Sequence, residues 1–252
     1  MSKTPTFNRR HFCGITGAAI AARFVGGTSS HGEESMSVIA ETAKGADASR
    51  RNELQEVLDL LLTVELLGVT FLTAAIERAA HTPSEAFLPV LRNAVTTEFV
   101  HGEAIKKAGG KPLTASFWFP DAAFDGGGVG LFSTIEHVEE IEISTYLVGV
   151  SAYVRAGGEF GARMCGEALG TESEHRALAR FVQGKLGKDV GVPNDRGFES
   201  FGWPTVAKAR AGLEALGVGL GRAGSPPGRL YEYPGDPVAH GAGTPVSHSV
   251  PA

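Results

Sequence analysis

The sequence predicts an all-α protein whose four long helices carry a metal site, and three observations predict it. Apolar residues recur at helical spacing in four separate runs divided by glycine and proline. Glu65 and Glu139 each sit inside such a run, and each is followed 33 residues later by a Glu-x-x-His step: Glu98-Phe99-Val100-His101 and Glu172-Ser173-Glu174-His175. The whole set then repeats at one offset of 74 residues, from 65 to 139, from 98 to 172 and from 101 to 175.

Composition narrows the function classes. The chain has 252 residues, 42% of them apolar, which is ample for a core. Its net charge is −5 and no basic run interleaves with aromatics, so nothing invites nucleic acid. The only cysteines are Cys13 and Cys165. With Cys13 expected in a removed segment, neither an internal disulfide nor a thiolate zinc site is available, and Cys165 reads as packing.

Residues 1–30 read as an export signal and cleavage region. Arg9-Arg10 followed by Phe12 resembles a twin-arginine signal, although Asn8 stands where Ser or Thr is usual. Cys13 to Ala22 is weakly apolar and too short to span a bilayer, and Ala19-Ile20-Ala21 is a small-x-small cleavage pattern. The expectation is therefore a periplasmic, cell-envelope or secreted protein with no integral membrane segment in the mature chain. Residues 31–49 form a small, polar linker. Residues 50–187 form the helical domain, and residues 188–252 a short helix, from about Pro204 to Leu216, with a Gly/Pro-rich extended tail.

Helix 1 is expected from Arg50 to Ala80. Glu65 lies among Val64, Leu66 and Leu67, where an unpaired carboxylate is costly to bury and needs a partner or a cation. Thr82-Pro83-Ser84-Glu85 starts helix 2, which runs to Ala108 and stops at Gly109-Gly110. Spacing of three puts Glu98 and His101 on one face. The stretch from Gly109 to Gly130 is long enough to cross a bundle, roughly 30 Å, so helices 2 and 3 are expected to run parallel. Its aromatics Phe117, Trp118, Phe119 and Phe124 place it on the bundle. Helix 3 is expected from Ser133, boxed by Glu136, to Ala156; Glu139 is the inward glutamate by phase and Glu142 the runner-up, with Glu136 and Glu140 solvated and His137 at the surface. Helix 4 runs from Glu159 to Leu186, with Met164, Ala168, Leu169, Leu178, Phe181 and Val182 on its apolar side. Glu174 faces elsewhere, toward neighbouring arginines. Gly161, Gly166 and Gly170 are expected to permit close helix approach.

Four carboxylates and two imidazoles converge in a core only if positive charge neutralises them, and two divalent ions match four carboxylates. Imidazole with carboxylate suits iron or manganese. In order, Glu65 within Leu62-Thr63-Val64-Glu65-Leu66, Glu98-x-x-His101 ahead of Gly109, Val138-Glu139 ahead of Tyr146, and Glu172-x-x-His175 ahead of Leu178 resemble the ferritin-like superfamily, and within it the ferritin-like domain family that includes desiccation-related proteins. The resemblance covers Arg50 to Leu186. It implies a ferritin-like four-helix bundle with a long crossover between helices 2 and 3. It also implies a di-iron or di-manganese centre on Glu65, Glu98, His101, Glu139, Glu172 and His175, with Tyr146 as a redox or hydrogen-bonding neighbour. The implied partners are metal ions and small oxygen species, and the implied chemistry is Fe(II) oxidation or peroxide breakdown under oxidative or drying stress. The other class of function left open is a structural envelope protein with a vestigial or single-ion site. A substrate oxygenase is a third reading and would need an apolar pocket beside the ions. His240 and His248 are minor metal candidates, and a homodimer is the default assembly.

Overall fold

The first long helix is apolar on every side through its middle, and the fold explains why. Helix α1 (Ala48–Arg78) is buried continuously from Leu60 to Val64 and from Leu67 to Leu72, so it has neighbours all round. It is long and apolar enough to cross a membrane, yet 83% of its most apolar window is buried inside the protein, as in a core helix. The computed structural model describes residues 48–125 and 128–252. The export signal, nearly all of the linker and Cys13 lie outside the described residues.

The chain is mostly helical. Helix α2 (Leu88–Lys107), α3 (Val129–Ala156) and α4 (Glu159–Lys185) complete the set of long helices, with a short α5 (Val206–Ala215) capped by Thr205. Paired contacts fix their directions. Gln55 donates to the Gly109 carbonyl at 3.0 Å while Gly102 packs on Glu65, so α2 runs antiparallel to α1. Arg155 pairs with Glu53 and the Tyr146 hydroxyl with Glu65, so α3 is antiparallel to α1 as well. Helices α2 and α3 are therefore parallel, as the long connection requires. Arg180 meets Glu136 at 2.9 Å and Tyr153 meets Gly161, which returns α4 antiparallel to α3.

Two helix starts differ from expectation. Thr82 does cap, accepting from the Ser84 amide, and Glu85 accepts from His81, but the turn they open is a 3-10 helix (Pro83–Phe87). Pro89 has no N–H to return to Glu85, so the first turn closes one residue tighter and the α-helix begins only at Leu88. Helix α3 starts at Val129, not Ser133. Gly128 sits at φ 101°, which turns the chain in four residues early and leaves the Ser133 carbonyl beside His137 within the helix.

The chain agrees with the all-α expectation in its helices, and the reading of an extended tail needs correction. Strand β1 (Ser116–Pro120) lies in the connection between α2 and α3, and β2 (Gly219–Leu220) and β3 (Gly228–Glu232) lie in the stretch read as an extended tail. They form a small antiparallel sheet in the order β2-β1-β3, with Phe117 opposite Tyr231 and Phe119 opposite Arg229. Alternation drives it: Phe117 and Phe119 point inward, and Phe119 meets Phe71 edge-on at 5.1 Å. Tyr231 packs on Phe119 and accepts a hydrogen bond from Arg78, pinning the sheet to the end of α1.

Helix α4 buries Met164, Ala168 and Val182 as expected, but not Leu178 and Phe181. Met164, Ala168, Glu172, His175, Ala179 and Val182 point inward, leaving Leu178 39% and Phe181 45% exposed. The inward stripe steps four residues from His175 to Ala179, which turns Leu178 outward. Close approach comes from Gly161, Gly149, Gly102 and Gly68; a Cβ at Gly166 or Gly170 would meet nothing within 4 Å. Gly161→Ala and Gly170→Ala should thus move stability in opposite directions in urea unfolding. A Cβ at Gly161 would lie 2.2 Å from the buried Tyr153 ring, and overpacking of about 1–3 kcal/mol exceeds the helix-propensity gain of about 1 kcal/mol. At Gly170 only the gain remains.

Candidate metal centre

All six residues of the duplicated pattern come together between the four long helices. Glu65, Glu98, Glu139, Glu172 and His175 are buried, and His101 is nearly so. Their ligand atoms form two groups: Glu98, Glu139, Glu172 and His175, and Glu65, His101 and Glu172, each within 4.8 Å of one another. Glu172 belongs to both. Its Oε1 lies 2.6 Å from His101 Nδ1 and its Oε2 lies 3.0 Å from His175 Nδ1.

The helices set this convergence. A step of three residues aligns Glu98 with His101 on α2 and Glu172 with His175 on α4, and the two steps face each other in antiparallel order. Gly68 and Gly102 let α1 and α2 close in: a Cβ at Gly68 would lie 2.9 Å from Glu98 Oε2, and one at Gly102 3.4 Å from the Glu65 Cβ. The Tyr146 hydroxyl donates to Glu65 Oε1, and its buried ring stands edge-on to His101 at 6.1 Å. Tyr146 thus fixes one oxygen of Glu65 and leaves Oε2 facing the cluster, 3.7 Å from His101 Nδ1.

The close approaches among the glutamates and histidines of the cluster are not hydrogen bonds. Glu65 Oε2, both oxygens of Glu98, Glu139 Oε2, both oxygens of Glu172, His101 Nδ1 and both ring nitrogens of His175 are buried without a hydrogen-bond partner. Buried polar atoms of folded proteins are almost always satisfied. So many unsatisfied donor and acceptor atoms, close together but not aimed at one another, fit a shared cation. The buried Glu/His groups can hold a metal ion.

The electrostatics agree. Burial, then the charges of Glu98 and Glu172, hold the Glu65 carboxyl well above its ordinary range against the lowering bond from Tyr146. Burial and Glu98 raise Glu139 in the same way. Burial also opposes charge on Glu172, but His101 and His175 outweigh it and hold that carboxyl low. Burial opposes charge on His175 too, yet Glu139, Glu172 and Glu98 raise it. Without a cation, the cluster keeps its carboxylates by borrowing protons.

Glu142 is the residue that phase alone left in second place. Glu139 belongs to the four-residue group, whereas Glu142 is a fifth buried carboxylate, its Oε1 unpartnered and its carboxyl raised by burial, Glu98 and Glu139. On helix 3, Glu139 lies in the cluster and Glu142 borders it without joining either group. Glu136 is not solvated. It is buried against Gln183 at 2.7 Å and Arg180 at 2.9 Å; burial works to raise its carboxyl, but these two partners outweigh it and lower it. Glu140 is partly buried and paired with Arg196. Arg176, beside His175, was not anticipated; it is buried with Nε and Nη1 unpartnered and Nη2 3.4 Å from Glu199. Its signal was one charge next to His175, which alone does not fix direction. Glu174 has no ion pair among the described residues, contrary to the expected arginine pairing. His240 and His248 join neither metal-binding group. Cys165 packs against Gly149, its thiol pushed up to about 12 by burial, as a core residue would be. No family model, curated protein or solved structure matches the chain.

Proposed function

We propose that this chain is a ferritin-like di-metal carboxylate protein, exported, holding two iron or two manganese ions and acting in Fe(II) oxidation or peroxide breakdown under oxidative or drying stress. The observation that carries the reading is Glu172 with one oxygen at each histidine, which makes it common to both ligand groups. Glu98, Glu139 and His175 would hold one ion with it, and Glu65 and His101 the other. Oxygen and imidazole donors without thiolate suit iron or manganese. Such a pair of ions supplies Lewis acidity and electron exchange toward dioxygen or peroxide. The parallel course of α2 and α3, the crossover between them and the duplicated ligand steps support the ferritin-like assignment.

The chain's own residues have definable parts. Tyr146 holds Glu65 through its hydroxyl, so that Oε2 alone faces the cluster. Burial keeps bulk water from the Glu98 and His175 side, where the His175 side chain is 4% exposed, while His101 at 12% marks the side that small molecules reach. Glu142 neighbours the ligands as a carboxyl that can hold a proton. A separate cavity of about 200 Å³ between α1 and α2 borders Glu98; Leu62, Leu66, Val69 and Phe99 line it together with Glu103, Lys106 and Lys111.

The test is to supply Fe(II) in air, and separately hydrogen peroxide to protein reconstituted with iron or manganese. Consumption of either faster than in buffer and faster than with Glu98→Ala/His175→Ala is the expected result. Protein that binds metal yet consumes neither would overturn the reading.

A further inference from the structure

The face between α2 and α4 is closed not by a helix but by the C-terminal segment. Thr244 donates its amide to the Arg92 carbonyl, and Arg92 donates to the Gly241 carbonyl at 2.6 Å, anchoring the segment on α2. At the far end Ala252 donates its amide to Glu167 and accepts from Arg163, anchoring it on α4. Between these anchors, residues 245–251 make no hydrogen bond among the described residues. They instead form the outer wall of a cavity of about 610 Å³.

The floor of that cavity is His101 and Tyr146, the exposed edge of the metal centre. Its volume argues against a mere passage for dioxygen or peroxide. A water molecule occupies about 30 Å³ of liquid, whereas sites for organic ligands run from about 300 to 1,000 Å³. One side is apolar, with Val100 and Ala104 on α2 facing Met164 and Ala168 on α4. Hydroxyls of Thr97 and Thr171 and the carboxylate of Glu174 stand among them. Among the described residues no lysine or arginine lines the cavity and Glu174 has no cation paired to it; the other lining carboxylate, Glu167, is paired with Arg163 at 3.7 Å, and the lining imidazoles are His101 and His248. An anionic ligand would therefore meet uncompensated negative charge, and a cationic head would meet a carboxylate.

We infer that the cavity between α2 and α4, spanned by residues 245–251, is a binding site for a small organic molecule with an apolar body and an amine or hydroxyl head, seated against His101 and Tyr146. The segment is the cover of this site: tethered at both ends and unbonded between them, it can rise for a ligand without breaking its anchors. This goes beyond the proposed oxygen chemistry, which needs no organic ligand. The cavity belongs to the fold, so the site can be tested on metal-free protein.

The experiment uses the full chain freed of metal by chelator and three probes with one ring and different heads: benzylamine, benzyl alcohol and benzoate. Binding is read by titration calorimetry or saturation-transfer NMR. Benzylamine should bind tightest, about fivefold tighter than benzyl alcohol, the equivalent of about 1 kcal/mol for an exposed charge pair, and benzoate weakest. Glu174→Gln should bring benzylamine and benzyl alcohol together. Thr97→Trp, which fills the cavity from the α2 side, should weaken both at least tenfold at unchanged helicity. A chain shortened by residues 244–252 should show the same loss, and it decides the matter if Thr97→Trp does not fold. Absence of saturable binding by any probe overturns the inference, as does binding that survives both alterations, or benzoate binding as tightly as benzylamine. Metal content is measured apart from this, so a chain that binds benzylamine but no metal would sink the proposed function and leave this site standing.

Discussion

Protein carrying Glu98→Ala and His175→Ala together should hold at most one iron or manganese ion, on the untouched Glu65, His101 and Glu172, where the unaltered chain purified from its own host should hold about two ions per chain. Both changes fall in the four-residue group, where His175 Nδ1 lies 3.0 Å from Glu98 Oε1. They leave Glu139 and Glu172 as its only remaining members. The double change is preferred because removing one partner of a buried charged pair leaves the other uncompensated, at about 3–5 kcal/mol. Removing both takes away one carboxylate and one imidazole, so metal loss is not confused with unfolding. Elemental analysis beside far-UV circular dichroism separates the outcomes. Two ions in the unaltered chain, of which one or both are lost in the variant at constant helicity, support the di-metal centre. One ion in the unaltered chain, also lost in the variant, would leave a single-ion site on Glu98, Glu139, Glu172 and His175. Little metal in both, with unchanged helicity, would sink the enzymatic reading and leave a structural bundle.

The site was legible in the sequence because burying charge is expensive. Glu65 amid leucine and valine, and two Glu-x-x-His steps in register, make sense only if the charges meet, and the fold brings all six residues together. The crossover was legible for a geometric reason: a connection long enough to return along the bundle lets α2 and α3 run parallel. What escaped depends on partners distant in the chain. Ser116–Pro120 and Gly228–Glu232 are short strands, and Phe119 finds Arg229 across a hundred residues of intervening chain, so neither declares itself locally. The aromatic alternation of Phe117 and Phe119 was the available signal. Part of the α4 face was missed similarly, because Leu178 and Phe181 are apolar but adjoin the stripe that holds His175 and Ala179. Glu136 looked solvated because its partners, Arg180 and Gln183, lie a helix away.

Metal-free protein should lose thermal stability as pH rises from about 5 toward 7, and metal should abolish or reverse that trend. The sign follows from the folded-state carboxyls. Glu65, Glu139 and Glu142 are raised above their ordinary value of 4.5, chiefly by burial and the charge of Glu98. Below that value the folded and unfolded chains are both protonated, and the stabilisation is fully present. As pH climbs, the unfolded chain releases these protons first, and stability falls until the folded carboxyls also ionise. His175, raised from 6.5, acts in the same direction: its contribution is present below 6.5 and lost as pH passes its folded value. Glu172 has the opposite sign, being held low by His101 and His175 against burial, but its contribution is complete above 4.5 and does not change across this window. Each pH unit of displacement is worth about 1.4 kcal/mol per group, and 1 kcal/mol moves the midpoint of a chain this size by about 2–4 °C. A bound cation takes the place of the borrowed protons, so metal binding strengthens as pH rises and stabilises the fold through its affinity. Melting curves at about pH 5, 6 and 7, with and without metal, should therefore diverge steadily. Titrations elsewhere in the chain are common to both forms and cancel in the difference. Parallel pH profiles with and without metal would mean that the cation does not bind at these carboxylates.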